Sequence, residues 1–251
     1  MSAGDLRIST AQPGQGRLVA RWISRSVDPA ILPFTIWRSP RAGAYVESLL
    51  ANPSPAGHRF YLLGQGGRVA GLAAFRRLDR AAFLNHIVVS PRGRGRGLGR
   101  RLLTLSLRDF LRRIPLRGVA LDAFRGSEAA AWYRRLGLTS EARYQWSTWG
   151  STTGGASHHG APRHSAFGFS SFTAGRYTVG RLWTPYYRLT DPRAARDHTL
   201  LACLTRLDPA RRFLLIAPGA PPANWQLVAR SDRLAGSADI LLRRLEGNPD
   251  A

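Results

Sequence analysis

The run from His86 to Leu103, HIVVSPRGRGRGLGRRLL, constrains the fold more than any other part of the chain. An apolar, β-branched strand runs into Gly93, Gly95, Gly97 and Gly99, spaced by Arg94, Arg96 and Leu98, and the turn opens directly into a leucine-rich helical pattern. Glycines allow positive φ and a close approach of the backbone to a ligand. The first N–H groups of a helix lack internal partners and sit at the positive end of its dipole. The turn is therefore an anion site by construction. Two nucleotide-binding motifs are excluded. A P-loop needs a lysine after its last glycine, and the chain has no lysine. A dinucleotide turn follows the first strand of a βαβ unit, whereas this one follows a series of strands.

Those strands are read from alternation and turn residues. Leu6–Thr10 alternates as a first strand, and Gln15–Ser26 has Leu18, Val19, Trp22 and Ile23 at helical spacing. A second helix covers Ala42–Ala51, before Pro53 and Pro55. Arg59–Leu63, the turn at Gly64–Gly67, Val69–Arg76 and Ala82–Val89 make an antiparallel meander. Beyond the glycine turn, Leu98–Ile114 is an amphipathic helix with Leu102, Leu103, Ser106, Leu107, Phe110 and Leu111 on one face, closed by Pro115. Val119–Phe124 is a buried strand, Glu128–Leu136 a helix capped by Gly137, and Arg143–Trp149 a strand. The order predicts an α/β fold with a mixed sheet.

Residues 150–166 are rich in Gly, Ser and His and are expected to be a linker or flexible loop. His158, His159 and His164 lie there with no acid or cysteine beside them, so no metal site is expected. Residues 167–251 are expected to form a C-terminal α/β segment: Phe167–Phe172, Tyr177–Leu189, a helix at Ala194–Leu207, strands at Arg212–Ile216 and Trp225–Val228, and a last strand near Asp239–Leu245.

The formal charge is +22, and all 37 basic residues are arginine. Biased codon usage explains arginine in place of lysine but not the scarcity of acids, so a polyanionic partner such as nucleic acid stays open. The single Cys203 excludes an internal disulfide framework and is expected to be a small buried hydrophobe. No signal pattern and no run of ~18 apolar residues is present, and a cytoplasmic location with no membrane partner is expected.

The glycine turn resembles the coenzyme A motif of the Gcn5-related N-acetyltransferase (GNAT) family, Gln/Arg-x-x-Gly-x-Gly/Ala between a strand and a long helix. Arg94, Gly97 and Gly99 fill its positions, with Val89-x-Pro91 upstream. A second family motif, Asn-x-x-Ala-x-x-x-Tyr-x-x-x-Gly-Phe, is met by Ala129, Tyr133, Gly137 and Leu138, while Gly126 stands at the asparagine position and Ser127 follows it. The resemblance covers residues 5–149, hence a catalytic domain over 1–149. It implies acetyl-CoA as co-substrate, with the backbone of Arg94, Gly95, Arg96, Gly97, Leu98 and Gly99 on the pyrophosphate, Val88 and Val89 pairing with the pantetheine arm, and the asparagine contact either absent or shifted to Ser127.

The implied reaction moves an acetyl group to an amine, which must be neutral, while the thiolate is protonated as it leaves. The resemblance implies Tyr133 as the acid; a core aromatic is the alternative. His86 is the first candidate base, with a satisfied strand histidine equally open. Asp122, on the strand beside the cofactor cleft, is a further candidate base, with pairing to one of the many arginines as the alternative. Glu128 favours its helix N-terminus. The acceptor is a small-molecule or peptide amine, and the competing reading is a non-catalytic fold holding acetyl-CoA or nucleic acid through its basic surface. Residues 167–251 are either a degenerate second GNAT copy or a segment completing the first sheet.

Overall fold

The computed structural model describes residues 6–52, 57–150 and 166–247. The elements are β1 (Arg7–Thr10), α1 (Gly16–Ser26), α2 (Ala42–Ala51), β2 (Arg59–Gln65), β3 (Arg68–Leu78), β4 (Ala81–Val89), α3 (Leu98–Arg113), β5 (Gly118–Phe124), α4 (Glu128–Arg135), β6 (Thr139–Trp149), β7 (Ser170–Ala174), β8 (Tyr177–Arg181), β9 (Tyr186–Leu189), α5 (His198–Leu207), β10 (Arg212–Pro218), β11 (Gln226–Ser237) and α6 (Ala238–Gly247). This is the expected α/β fold with mixed strand pairing. Among the described residues no helix is long and apolar enough to cross a membrane.

The chain divides into two compact units. The first takes residues up to Ser26, Gly43–Glu141 and everything from Asp232 on; the second takes Val27–Ala42 and Ala142–Ser231. The units are therefore not the contiguous stretches 1–149 and 167–251. Local patterns mark where an element ends, but not which distant strand it pairs with. The expected linker and its histidines at 158, 159 and 164 lie outside the described residues.

In the first unit the strands run β1-β2-β3-β4-β5, with β11 beside β5. Pairing from β1 to β4 is antiparallel, and β4 pairs parallel to β5. The parallel pair needs a crossover, supplied by α3. Leu102, Leu103, Leu107 and Phe110 of α3 are fully buried against Tyr61, Phe75, Leu84 and Leu121, while Arg101, Arg108, Arg112 and Arg113 face solvent. Each fully buried leucine contributes about 1.5–3 kcal/mol. Helix α4 ends as predicted: Gly137 has φ +88°, and Leu138 N–H donates to Tyr133 O at 3.1 Å while Gly137 N–H donates to Arg134 O at 2.9 Å.

In the second unit the order is β6-β10-β9-β8-β7. β7–β8 and β8–β9 are antiparallel, and β9–β10 is parallel across α5. Its core gathers Tyr187, Leu189, Leu201, Leu204, Phe213 and Trp225. Two antiparallel steps and one parallel crossover repeat the sequence β2–β3–β4–α3–β5 of the first unit.

Two expectations are corrected. The segment Asp239–Leu245 is helix α6, not a strand: Ala238, Leu241 and Leu245 are buried at helical spacing, and Asp239 sits in the first turn, where the dipole favours it. Cys203 is exposed, because the buried positions of α5 are Leu200, Leu201 and Leu204 and Cys203 falls off that stripe.

Candidate active site

The glycine turn has the backbone its sequence implies. Pro91–Gly93 is a short 3-10 turn, and Gly95 and Gly97 follow at φ +69° and +71°, the left-handed region that other residues avoid. A Cβ at either position would meet nothing within 4 Å, so the side of the turn that glycine leaves bare is open. Gly97 is the N-cap of α3 and offers no side-chain cap. The first bond of the helix ladder is Arg101 N–H to Gly97 O at 3.0 Å, and the N–H groups of Leu98, Gly99 and Arg100 precede it. Arg92, Arg94 and Arg96 are exposed around the turn. The Arg100 side chain is committed elsewhere, donating to the backbone carbonyl of Arg244 at 2.7 Å and to that of Leu245.

Beside the turn, one edge of β4 is left open. Its ladder with β3 continues to Val89, opposite Gly71, but its ladder with β5 stops at Leu84, opposite Leu121. Between Ala74/His86 and Phe75/Leu84 the register shifts by one, and Asn85 is the extra residue. Such a bulge bends the strand and ends regular pairing. Val88 and Val89 thus lie on a stretch whose β5-side backbone groups have no strand ladder. An open strand edge, an open glycine cradle and an uncapped helix start suit an extended amide-bearing arm that ends in a pyrophosphate, so the residues present fit acetyl-CoA.

The other sequence candidates are placed as follows. Tyr133 is buried in the α3-side core, which also holds Leu98 and Ala123 and against which Val89 packs. Burial pushes its phenol well above the ordinary tyrosine range. His86 pairs with Ala74, on the face of β4 opposite to Ile87 and Val89, which pack on the α3-side core. Tyr133 and His86 therefore belong to opposite faces of the strand. Burial pushes the His86 imidazole down to about 4, so it is neutral at physiological pH. Asp122 pairs with Arg233 through both carboxylate oxygens. Ser127 N-caps α4, accepting from Ala130 N–H at 3.1 Å and donating to Phe124 O at 2.7 Å, which already uses its hydroxyl in both senses. Gly126, at φ +81°, makes the turn into that cap. Glu128 lies in the first turn of α4, as expected.

Residues not singled out from sequence form a polar group on the His86 face. Arg76 and Phe83 are directly paired on β3 and β4, and Arg76 Nε donates to Asn85 Oδ1 at 3.2 Å. The guanidinium carbons of Arg76 and Arg233 stand 4.8 and 4.9 Å from the centre of the Phe83 ring. No sequence signal marks this group, because a bulge and three separate strands assemble it. A cleft of about 810 Å³ lies elsewhere, lined by Thr10, Tyr61, Arg108, Asp109, Arg112 and Leu242 near the far end of α3. There the Tyr61 hydroxyl donates to Asp109 at 3.1 Å, and neither the glycine turn nor the β4 edge takes part.

Residues 56–138 match a protein-family model described as the acetyltransferase (GNAT) domain. The stretch holds the meander, the glycine turn and α4. Among solved structures, the chain is similar to a tandem GNAT protein from the clavulanic acid biosynthesis pathway, solved without acetyl-CoA, at 16% identity over 93% of this chain and 99% of that one, with a TM-score of 0.61. It is also similar to the ribosomal-protein-S18-alanine N-acetyltransferase of Escherichia coli, at 21% identity over 55% and 81% and a TM-score of 0.39. The spermidine/spermine N-acetyltransferase of Vibrio cholerae matches at 17% identity over 55% and 82%, with a TM-score of 0.43. No curated protein matches the sequence.

Proposed function

We propose that this protein transfers an acetyl group from acetyl-CoA to a primary amine, directly, with both substrates bound together, in keeping with the match of residues 56–138 to the acetyltransferase (GNAT) domain model. The observation that carries this reading is the open left-handed turn at Gly95 and Gly97, leading into an uncapped α3 beside the unpaired edge of β4. When bound, acetyl-CoA supplies the activated acetyl group as a thioester. The Arg94 N–H already donates to Pro91 O at 3.3 Å, so the backbone N–H groups from Gly95 to Gly99 hold the pyrophosphate, and the side chains of Arg92, Arg94 and Arg96 add attraction at longer range. Val88 and Val89 bind the pantetheine amides as a neighbouring strand would. Holding acceptor and donor together removes the entropy of a bimolecular encounter.

Tyr133 is the proton donor for the departing thiolate. Its raised pKa keeps the phenol protonated throughout the physiological range, the state an acid needs. His86 is in the deprotonated state a base needs, but with a pKa near 4 it is far less basic than an alkylamine. It therefore directs the amine's proton toward water rather than retaining it.

The second unit is a degenerate copy of the same fold that has lost its cofactor turn. Between β9 and α5 the chain reads TDPRAARD, without glycine. Asp197 N-caps α5, its carboxylate accepting from Leu200 N–H at 3.0 Å. The helix start that would meet a pyrophosphate already holds a carboxylate of its own.

A second reading, binding of nucleic acid through the basic surface, draws on α1, where Arg17, Arg21 and Arg25 recur every four residues and all are exposed. Calorimetric titration with acetyl-CoA at physiological salt, beside a Gly97→Glu variant, tests the first reading. One-to-one binding lost in the variant supports it. Absence of binding by the wild type overturns it in favour of the second.

A further inference from the structure

The Arg76 group makes a demand on whatever binds next to it. Two guanidiniums, Arg76 and Arg233, lie against Phe83. The carboxylate beside them, Asp122, is engaged by Arg233 through both oxygens. Arg76 is half-buried, and its side-chain hydrogen bond goes to the neutral amide of Asn85. The other acids nearby are occupied or solvent-screened, Asp79 reaching Arg76 only as the weakest of the charges that act on it. Glu47 of α2 accepts from the N–H groups of Gly14 and Gly16 at the start of α1, and Asp79 is exposed in the β3–β4 turn. Tyr45 of α2 also faces Arg76, and burial raises its pKa, so it contributes no negative charge at neutral pH. The group thus holds two positive charges and one negative charge in a partly desolvated place, where an unbalanced charge is unfavourable.

Its position ties this imbalance to the reaction. Asn85, which Arg76 binds, is the bulge residue adjoining His86, where the unpaired edge of β4 begins. Arg76 lies opposite Phe83, three residues before His86, which is about 10 Å of strand. The interval, less the reach of the arginine side chain, is the scale of one small molecule.

We propose that Arg76 anchors a carboxylate of the acceptor, so that the amine substrate is an amino acid or a related amino carboxylate rather than a polyamine. This rests on the acetyl-transfer reading of the same site. A guanidinium presents a planar fork that matches a carboxylate with two parallel bonds. The excess of one positive charge matches a singly charged carboxylate better than a doubly charged phosphate. The same excess repels a di- or polyamine, and Phe83 offers an apolar surface beside the anchor.

The test compares free L-amino acids with their O-methyl esters, with spermidine as the polycation, binding to the full chain without cofactor and followed by saturation-transfer NMR. At least one acid is expected to bind ~10-fold more tightly than its ester, the scale of one charge-assisted contact. Arg76→Gln should bring the pair level, Arg76→Lys should keep part of the preference, and Arg112→Gln, at the exposed far end of α3, should leave it intact. Circular dichroism of each variant establishes that it is folded. Equal binding of acids and esters across the panel, tighter binding of spermidine, or a preference that survives in Arg76→Gln overturns the proposal. Acetyl-CoA titration separates the two layers. Acetylation of esters or spermidine without carboxylate preference overturns the anchor and leaves the transferase. Carboxylate binding through Arg76 without acetyl-CoA binding overturns the transferase and leaves the anchor.

Discussion

Gly97 and Asp197 hold corresponding places, each the N-cap of a helix that crosses between two parallel strands, and only Asp197 fills its helix terminus with its own side chain. Gly97, at φ +71° with open space where a side chain would be, leaves the first N–H groups of α3 to an outside anion. The same crossover thus has an anion-ready terminus in one unit and a self-satisfied terminus in the other.

Substitutions at these two residues should separate the roles. Gly97→Glu places a bulky anion in the cradle in a left-handed conformation and should weaken acetyl-CoA binding at least ~100-fold, about 3 kcal/mol, measured by calorimetry. Asp197→Ala should leave that affinity unchanged while lowering stability by roughly 1 kcal/mol through loss of a cap, measured by urea unfolding. An effect of Asp197→Ala on acetyl-CoA affinity would show that the second unit keeps a cofactor site.

Tyr133→Phe keeps the ring in the core and removes the hydroxyl. Turnover should fall by roughly 100-fold, within the range of general acid catalysis, with acetyl-CoA affinity nearly unchanged. Steady-state kinetics beside calorimetry reads both, and an unchanged kcat removes Tyr133 from the mechanism.

His86 links stability to pH. Its folded pKa of about 4 lies below the ordinary value of 6.5, so the unfolded chain takes up the proton first. The contribution is complete above pH 6.5 and is lost as pH falls from there toward 4. In a His86→Gln variant the slope of unfolding free energy between pH 6.5 and 4 should be shallower, by a total on the order of 1–3 kcal/mol. Identical slopes in both proteins would show that the imidazole is well hydrated in the folded state.

Asp232 of β11 is a buried carboxylate that accepts from Arg125 at 2.8 Å and from Arg134 of α4 at 2.5 Å. Asp232→Ala removes the shared partner of two half-exposed guanidiniums and should lower stability by roughly 1–3 kcal/mol. A melting temperature equal to wild type would assign those ion pairs no net stabilising role.

The sequence by itself determined the elements that rest on local chemistry. The apolar runs of β3 and β4 between turn residues, the leucine stripe of α3, the glycine turn and the Gly137 cap of α4 follow from side-chain patterning and from backbone conformations that only certain residues tolerate. For the same reason, the residues of the glycine turn could be named in advance. The periodicity of Ala238, Leu241 and Leu245 was equally present in the chain, but its apolar density reads as a strand unless the burial of one helical face is known. Tertiary structure alone decided the rest. Asp122 is held by Arg233, more than a hundred residues away; Arg76 meets Asn85 through a one-residue bulge; and the last helix of the chain, with the second half of β11, belongs to the unit that holds its first strand. These depend on strand order and register, which are set by the free energy of packing distant segments, and no local pattern carries that information.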